Sequence, residues 1–448
     1  MITGPLLLVI FLVVIAVLLA LIIRWRVNPF LALLLTAVLT GVFVGMPLRD
    51  IGGAIAEGFG NTLSGIGIVI GLGIVLGQVL VEAGATAQIA NRLLKLTGYQ
   101  RSPLAINAAG YLVSIPVFID AAFVIFIPLV AQICLKTRKS WITFVTALSV
   151  GLITTHAMVV PTPGPLAVAG NMQLDVGLFL LYALVASLPA SLVGGWLYGL
   201  WLGRRNGPQV SVPLVNASAE SELYPVPSGN LALWVLLCPV LLILVGSIFG
   251  VLLPEDVWAR SFFAFIGDKN VALLIAVLVA LATLKRYIRK PAGEIVNEAA
   301  ASAGLILLIT GAGGAFGHII SSSGIGSYLV ETMVGWNVSM LFLGFILSAI
   351  LRAAQGSATV ALITTSAILG PTIAAAGASP ILVGLAICAG GMCLSLPNDS
   401  AFWVVSRFAN LSVRDTLRGW TGGSTLAGLV ALVVVLLLSQ LRGILPGL

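Results

Sequence analysis

Runs of about twenty apolar residues, the length that crosses a bilayer as a helix, recur along almost all of this 448-residue chain. They fall near 5–23, 28–46, 60–83, 142–172 and 177–203, and again near 231–253, 270–284, 302–322, 380–408 and 420–440. Two further segments, 104–136 and 340–371, are apolar but interrupted, so each half holds five spans and one extra segment. With 59% hydrophobic and 8% charged residues there is too little polar surface for a water-soluble globule. The chain is therefore read as an all-α polytopic membrane protein.

Its net charge of +7 does not point to nucleic acid, because Lys and Arg sit in short clusters between apolar runs. All the clusters, from Arg24/Arg26 to Arg407/Arg414/Arg418, fall on one side of the membrane if 104–136 and 340–371 each enter and leave by the same face. Each is then a re-entrant hairpin. Five crossings per half invert the second half relative to the first, giving repeats at 1–203 and 230–448 with a cytoplasmic connector at 204–229. Both termini are expected outside. Pro5–Ile23 is followed by Arg24 and Arg26 rather than a cleavage site, and is expected to stay as the first span. Cys134, Cys238, Cys388 and Cys393 show no metal-ligand spacing, so no metal or cofactor is expected.

Sliding the chain on itself by 240 residues supports duplication. Arg49, Gly53, Ile55, Ile66, Gly71, Gly73, Gly77 and Gly84 meet Arg289, Gly293, Ile295, Ile306, Gly311, Gly313, Gly317 and Gly324 without a gap. Shared glycines within one span matter more than the identity count, because small residues set how closely helices approach. His318, opposite Gln78 on this span, is read as a packing residue. GAGGAFG (311–317) lacks the spacing and the strand of a dinucleotide loop and is read as a close-packed helix.

Polar residues at membrane depth are expensive and are functional candidates by default. Irregular backbone survives there only against protein or a wet cavity. Four such breaks are visible: near Pro116–Asp120 in the first hairpin, near Arg352–Thr359 in the second, at Thr155–Pro165 (THAMVVPTPGP), and at Ser395–Ser400 (SLPNDS). Half-helices starting at breaks aim unpaired N–H groups into the cavity and favour an anion. Gln355, Ser357, Thr359, Asn398 and Ser400 add neutral hydrogen-bonding groups suited to a small polyhydroxylated acid. Arg352 has two readings, as a carboxylate ligand or as the partner of Asp120 or Asp399. Asp399 can equally cap a short helix, and His156, flanked by Thr155 in a break, is either proton-linked or a satisfied core histidine.

The segments IPVFIDAAFVIFIPL, THAMVVPTPGPLAVAG, LRAAQGSATVA and SLPNDSAFWVVSRF resemble the gluconate permeases, a family of gluconate:proton symporters. The resemblance runs over essentially the whole chain. It implies two inverted repeats, each with a re-entrant hairpin and an interrupted helix, a homodimer, a bacterial inner-membrane location, and uptake of gluconate or a related sugar acid with protons. One branch of the family takes D-serine, which stays as the alternative. Many relatives carry a second histidine where this chain has Thr162. The expected substrate contacts are Asp120, Thr155, His156, Thr162, Gly164, Arg352, Gln355, Gly356, Ser357, Thr359, Asn398, Asp399 and Ser400, with Asp120, His156 and Asp399 as proton-coupling candidates. A channel lacks its continuous polar lining, and an intramembrane enzyme lacks a nucleophile with its base.

Overall fold

The computed structural model describes residues 2–206, 225–254, 256–325, 328, 332, 339–373, 377–397 and 399–448. Asn398 and most of the connector therefore lie outside the described residues. The first half runs α1 (Pro5–Ile23), α2 (Pro29–Phe43), α3 (Leu48–Glu82), α4 (Ala85–Thr97), α5 (Ser102–Val113), α6 (Ile119–Thr137), α7 (Trp141–Met158), α8 (Pro163–Asn171), α9 (Val176–Ser191) and α10 (Tyr198–Asn206). The second runs α11 (Gly229–Leu252), α12 (Trp258–Gly267), α13 (Lys269–Leu284), α14 (Ala292–Ser322), α15 (Met340–Gln355), α16 (Ala358–Ile373), α17 (Pro380–Gly391), α18 (Ser400–Phe408), α19 (Val413–Thr416) and α20 (Gly422–Ser439).

The order recurs at nearly constant offset. Helices α2 and α13 begin 240 residues apart, α3 and α14 end 240 apart, and α8 and α18 both begin and end 237 apart. Gly84 and Gly324 each follow their long helix with φ of +66° and +76°, a left-handed turn that glycine adopts without cost. That geometric need accounts for one of the glycine coincidences.

Two spans are longer than hydropathy alone marks. The third begins at Leu48 rather than near 60, and its counterpart at Ala292 rather than near 302. Arg49, Asp50 and Glu57, like Glu294 and Glu298, lower the apolar score of these first turns without interrupting the helix. Conversely, α2 covers only 15 of the residues expected at 28–46. Among the described residues six helices, or seven counting bent α3, are long and apolar enough to cross a bilayer unaided, and the other apolar helices are shorter. The amphipathic α12, none of whose residues is buried, has no counterpart in the first half and went unforeseen.

The centre of the fold is the pair α3 and α14, which run antiparallel. Gly58 abuts Gly314 and His318, Gly67 faces Leu307, and the Gln78 amide donates to Glu298 at 3.2 Å. Lys290 bridges Glu298 at 2.7 Å and Glu82 at 3.3 Å, closing that end of the pair. On this pair rest the other elements: the Pro116 carbonyl lies directly over Gly77, and a Cβ on Gly317 would stand 2.7 Å from the Ala367 carbonyl. GAGGAFG is buried and helical throughout, as the sequence predicts.

The first interrupted span, and the first half of the second, lie inside the protein. The most apolar window of Trp141–Asn171 is wholly buried, as are residues 381–391 of α17. The broken backbone at 159–162 is thus covered by protein, whereas at the second break Ser395 and Asp399 are buried and Leu394 and Pro397 are exposed. The segment Leu192–Leu197 widens to a π-helix, and buried Asn107 of α5 donates from Nδ2 to the carbonyls of Ala147 and Ser191 at 2.9 and 3.3 Å. A side chain on Gly195 would collide with that amide.

Candidate functional site

The junctions α5–α6 and α15–α16, the end of α7 and the start of α18 converge on one cavity of about 170 Å³. Phe118, Asp120, His156, Arg352, Ser357, Thr359 and Asp399 all line it. Local chemistry fixes each. Gly356 ends α15 in the left-handed conformation at φ +74°, one turn after Arg352. Ser357 then starts α16, its Oγ accepting from Val360 N at 3.3 Å. Asp399 caps α18, Oδ1 accepting from Ala401 N at 2.9 Å, so the capping reading holds.

It also pairs. Arg352 Nη2 lies 2.5 Å from Asp399 Oδ2, with the two side chains 2% and 3% exposed. Arg352 is thus the partner of Asp399 and not of Asp120, and the contact is single rather than bidentate. Its Nε is buried and has no protein partner. The Ser395 hydroxyl donates to the same Oδ2, Trp420 Nε1 donates to Ser395 Oγ at 2.6 Å, and the Thr421 hydroxyl donates to the Ser395 carbonyl. Trp420 and Thr421 belong to a second π-helical segment, Leu417–Thr421. Sequence reasoning missed them: nothing in an apolar last span marks a tryptophan as the anchor of a break 25 residues earlier. The Ser395-x-x-x-Asp399 spacing was the one available signal for Ser395.

Asp120 stands in the first turn of α6, exposed toward the cavity, and forms no ion pair among the described residues. His156 is buried, with Nε2 3.5 Å from Thr359 Oγ1 and its ring centroid 6.0 Å from that of Phe118. It sits in the last helical turn of α7, not in a break: the irregular residues are 159–162. His156 and Phe118 also wall a cleft of about 10 Å³ beside Thr162, room for at most one water.

Three expected contacts are not in the cavity. The Thr155 hydroxyl is buried without a protein partner, on a different side of the α7 turn from His156. The Thr162 hydroxyl turns back to the Val159 carbonyl. Gly164 serves close packing, since a Cβ there would stand 2.7 Å from Leu362 Cδ1. The side chains of Gln355 and Ser400, like the whole of Asn398, lie outside the described residues. His318, expected to pack, lies against Gly58, and its ring also lines a separate cavity with Nε2 3.7 Å from Glu57.

The family model of the GntP family permeases matches residues 6–441. The chain belongs to the GntP permease family. This GntP permease is 35% identical to a gluconate permease of Pseudomonas aeruginosa over 433 residues, 96% of each chain. It is 33% identical to the high-affinity gluconate transporter of Escherichia coli, over 94% of this chain and 97% of that one. The Gnt-II system L-idonate transporter of the same organism is also 33% identical, over 94% and 96%. Among solved structures, the YdaH transporter of Alcanivorax borkumensis, described as having an unusual topology, shares the fold: TM-score 0.68, 17% identity, 89% and 90% coverage.

Proposed function

We propose that this permease takes up a small hydroxylated monocarboxylate, gluconate or a related sugar acid, together with a proton. The observation that carries the reading is the state of Arg352: one nitrogen is committed to Asp399 while Nε is buried and unbonded. A buried donor without an acceptor costs about 1–3 kcal/mol, and an arriving carboxylate relieves that cost by drawing the guanidinium toward the cavity. Ser357, Thr359 and backbone beside Gly356 offer partners for hydroxyl groups. The names of the relatives support a sugar acid.

Asp120 is the best-placed proton carrier, since it faces the cavity without an ion-pair partner among the described residues, whereas Asp399 is held by three donors. An unpaired carboxylate also suits an ammonium, so a small hydroxy amino acid such as D-serine is the rival reading. In this account residues 1–203 and 230–448 are inverted repeats joined by a cytoplasmic 204–229, with both termini outside. The basic clusters support that orientation in a bacterial inner membrane, and the protein works as a homodimer.

Counterflow in proteoliposomes tests the function. Labelled gluconate should accumulate against its gradient when the vesicles are preloaded with unlabelled gluconate, and an acid-outside pH step should drive net uptake. Counterflow of D-serine but not gluconate would select the rival. No counterflow of either would remove the carrier reading.

A further inference from the structure

A second cavity lies at the far end of the helices that frame the first. Helix α16 carries Thr359 into the first cavity and Ala367 and Gly370 into the second. Eight to eleven residues at 1.5 Å each put the two about 12–17 Å apart. Helix α8 likewise starts at the break and ends at Gly170 and Asn171, on the wall of the second cavity. The facing wall belongs to α3 and α14. At about 380 Å³ this space is more than twice the size of the first.

Its lining is polar and almost uncharged. Asn61, Thr62, Asn171, Gln173 and Ser321 contribute amides and hydroxyls, and His318, whose Nε2 lies 3.7 Å from Glu57 outside the lining, is the titratable side chain among the described lining residues. Asn171 is held by a 2.9 Å bond from Nδ2 to Ser366 Oγ, while Asn61 and Ser321 are exposed to the space. Asn61, Gln173 and Ser321 are exposed, so their hydrogen-bonding groups are open to water or to a ligand entering the space.

The two cavities are separated by a dry layer. Leu362 is pressed against Gly164 and Gly391, and Ile363 against Gly313, at distances of 2.5–2.7 Å from the Cβ those glycines lack. A molecule in the second cavity therefore waits behind closed packing rather than in a continuous channel.

We infer that the second cavity is a binding site in its own right, which holds the polyhydroxylated anion through its hydroxyl groups before it reaches Arg352. This deepens the functional reading above and rests on it. Without a guanidinium the site selects for hydroxyl groups more than for the carboxylate, so it binds more weakly than the first. Its neutral donors and acceptors match a polyol chain, in which every carbon presents both.

Equilibrium binding of radiolabelled gluconate to the full-length protein in detergent decides it. Two sites per protomer are expected, the second at least about tenfold weaker. The double variant Asn61→Leu, Ser321→Leu should abolish the weak site, leave the tight site within about twofold, and raise the half-saturating concentration for uptake several-fold. Ser357→Ala should weaken only the tight site. A single site per protomer in the unaltered protein, or a weak site untouched by the double variant, overturns the inference while leaving the transport function standing. Absence of any gluconate binding overturns the substrate assignment, and this inference with it.

Discussion

Arg352 and Asp399 meet through one nitrogen and one oxygen, 2.5 Å apart, in a setting where neither side chain is more than 3% exposed. Removing one member of such a pair strands the other charge, at a typical cost of about 3–5 kcal/mol. Arg352→Leu and Asp399→Leu should therefore each lower the thermal unfolding temperature sharply, while the double variant loses less than the sum. Additive losses would show that the two charges do not depend on each other.

Asp120→Asn should keep gluconate exchange and lose accumulation driven by a pH gradient, because exchange needs binding and movement but no net proton transfer. The sequence offers Asp399 as a coupling candidate too, and so as another residue to test. Its three donors shift that choice, since Asp399→Asn disturbs a structural anchor together with any coupling role. Full gradient-driven accumulation in Asp120→Asn would rule out this carboxylate as the carrier.

Ser395→Ala leaves Trp420 Nε1 without its acceptor and takes one donor from Asp399. An unsatisfied buried donor costs about 1–3 kcal/mol. The melting temperature should fall and gluconate should bind more weakly, with Trp420→Phe milder because it removes the stranded donor itself. Equal destabilisation by both would argue that packing of the ring, not the bond, matters.

Glycines of the same helix should respond with opposite sign. A Cβ on Gly77 collides with the Pro116 carbonyl, whereas one on Gly71 meets nothing within 4 Å. Gly77→Ala should cost about 1–3 kcal/mol by overpacking, while Gly71→Ala should stabilise α3 by up to about 1 kcal/mol through helix propensity. Thermal unfolding of the two variants measures both, and a stable, active Gly77→Ala protein would contradict the close approach.

Much of the site was legible because Pro, Gly and Asp stand out against apolar chain. Asp120, His156, Arg352, Gly356, Ser357, Thr359 and Asp399 were all expected at the site, and all line the cavity. Thr155 and Thr162 were expected for their proximity in sequence to His156 and the break, but side-chain direction around a helical turn, and a hydroxyl's option of bonding its own backbone, are not readable from spacing. The partner of Arg352 was ambiguous for a related reason: Asp120 and Asp399 both stand at helix starts beside a break, and only the packed arrangement tells which carboxylate comes within 2.5 Å. Amphipathic α12 escaped because a ten-residue helix is too short to register as a span.

Because Arg352 and Asp399 neutralise one another, Asp120 and His156 are the titratable groups left to set the charge of the proposed site among the described residues that line it. Empty and deprotonated, the site bears a single negative charge; protonated and loaded with a monoanion, it bears the same. Those two forms therefore traverse the membrane potential on equal terms. Loading the anion without the proton would bring a second uncompensated charge to a depth where charge is costly. One-for-one symport on this plan transfers no net charge, so uptake should follow the pH difference and ignore an imposed potassium diffusion potential. Uptake that rises with an inside-negative potential at equal pH would mean that more than one cation accompanies each anion.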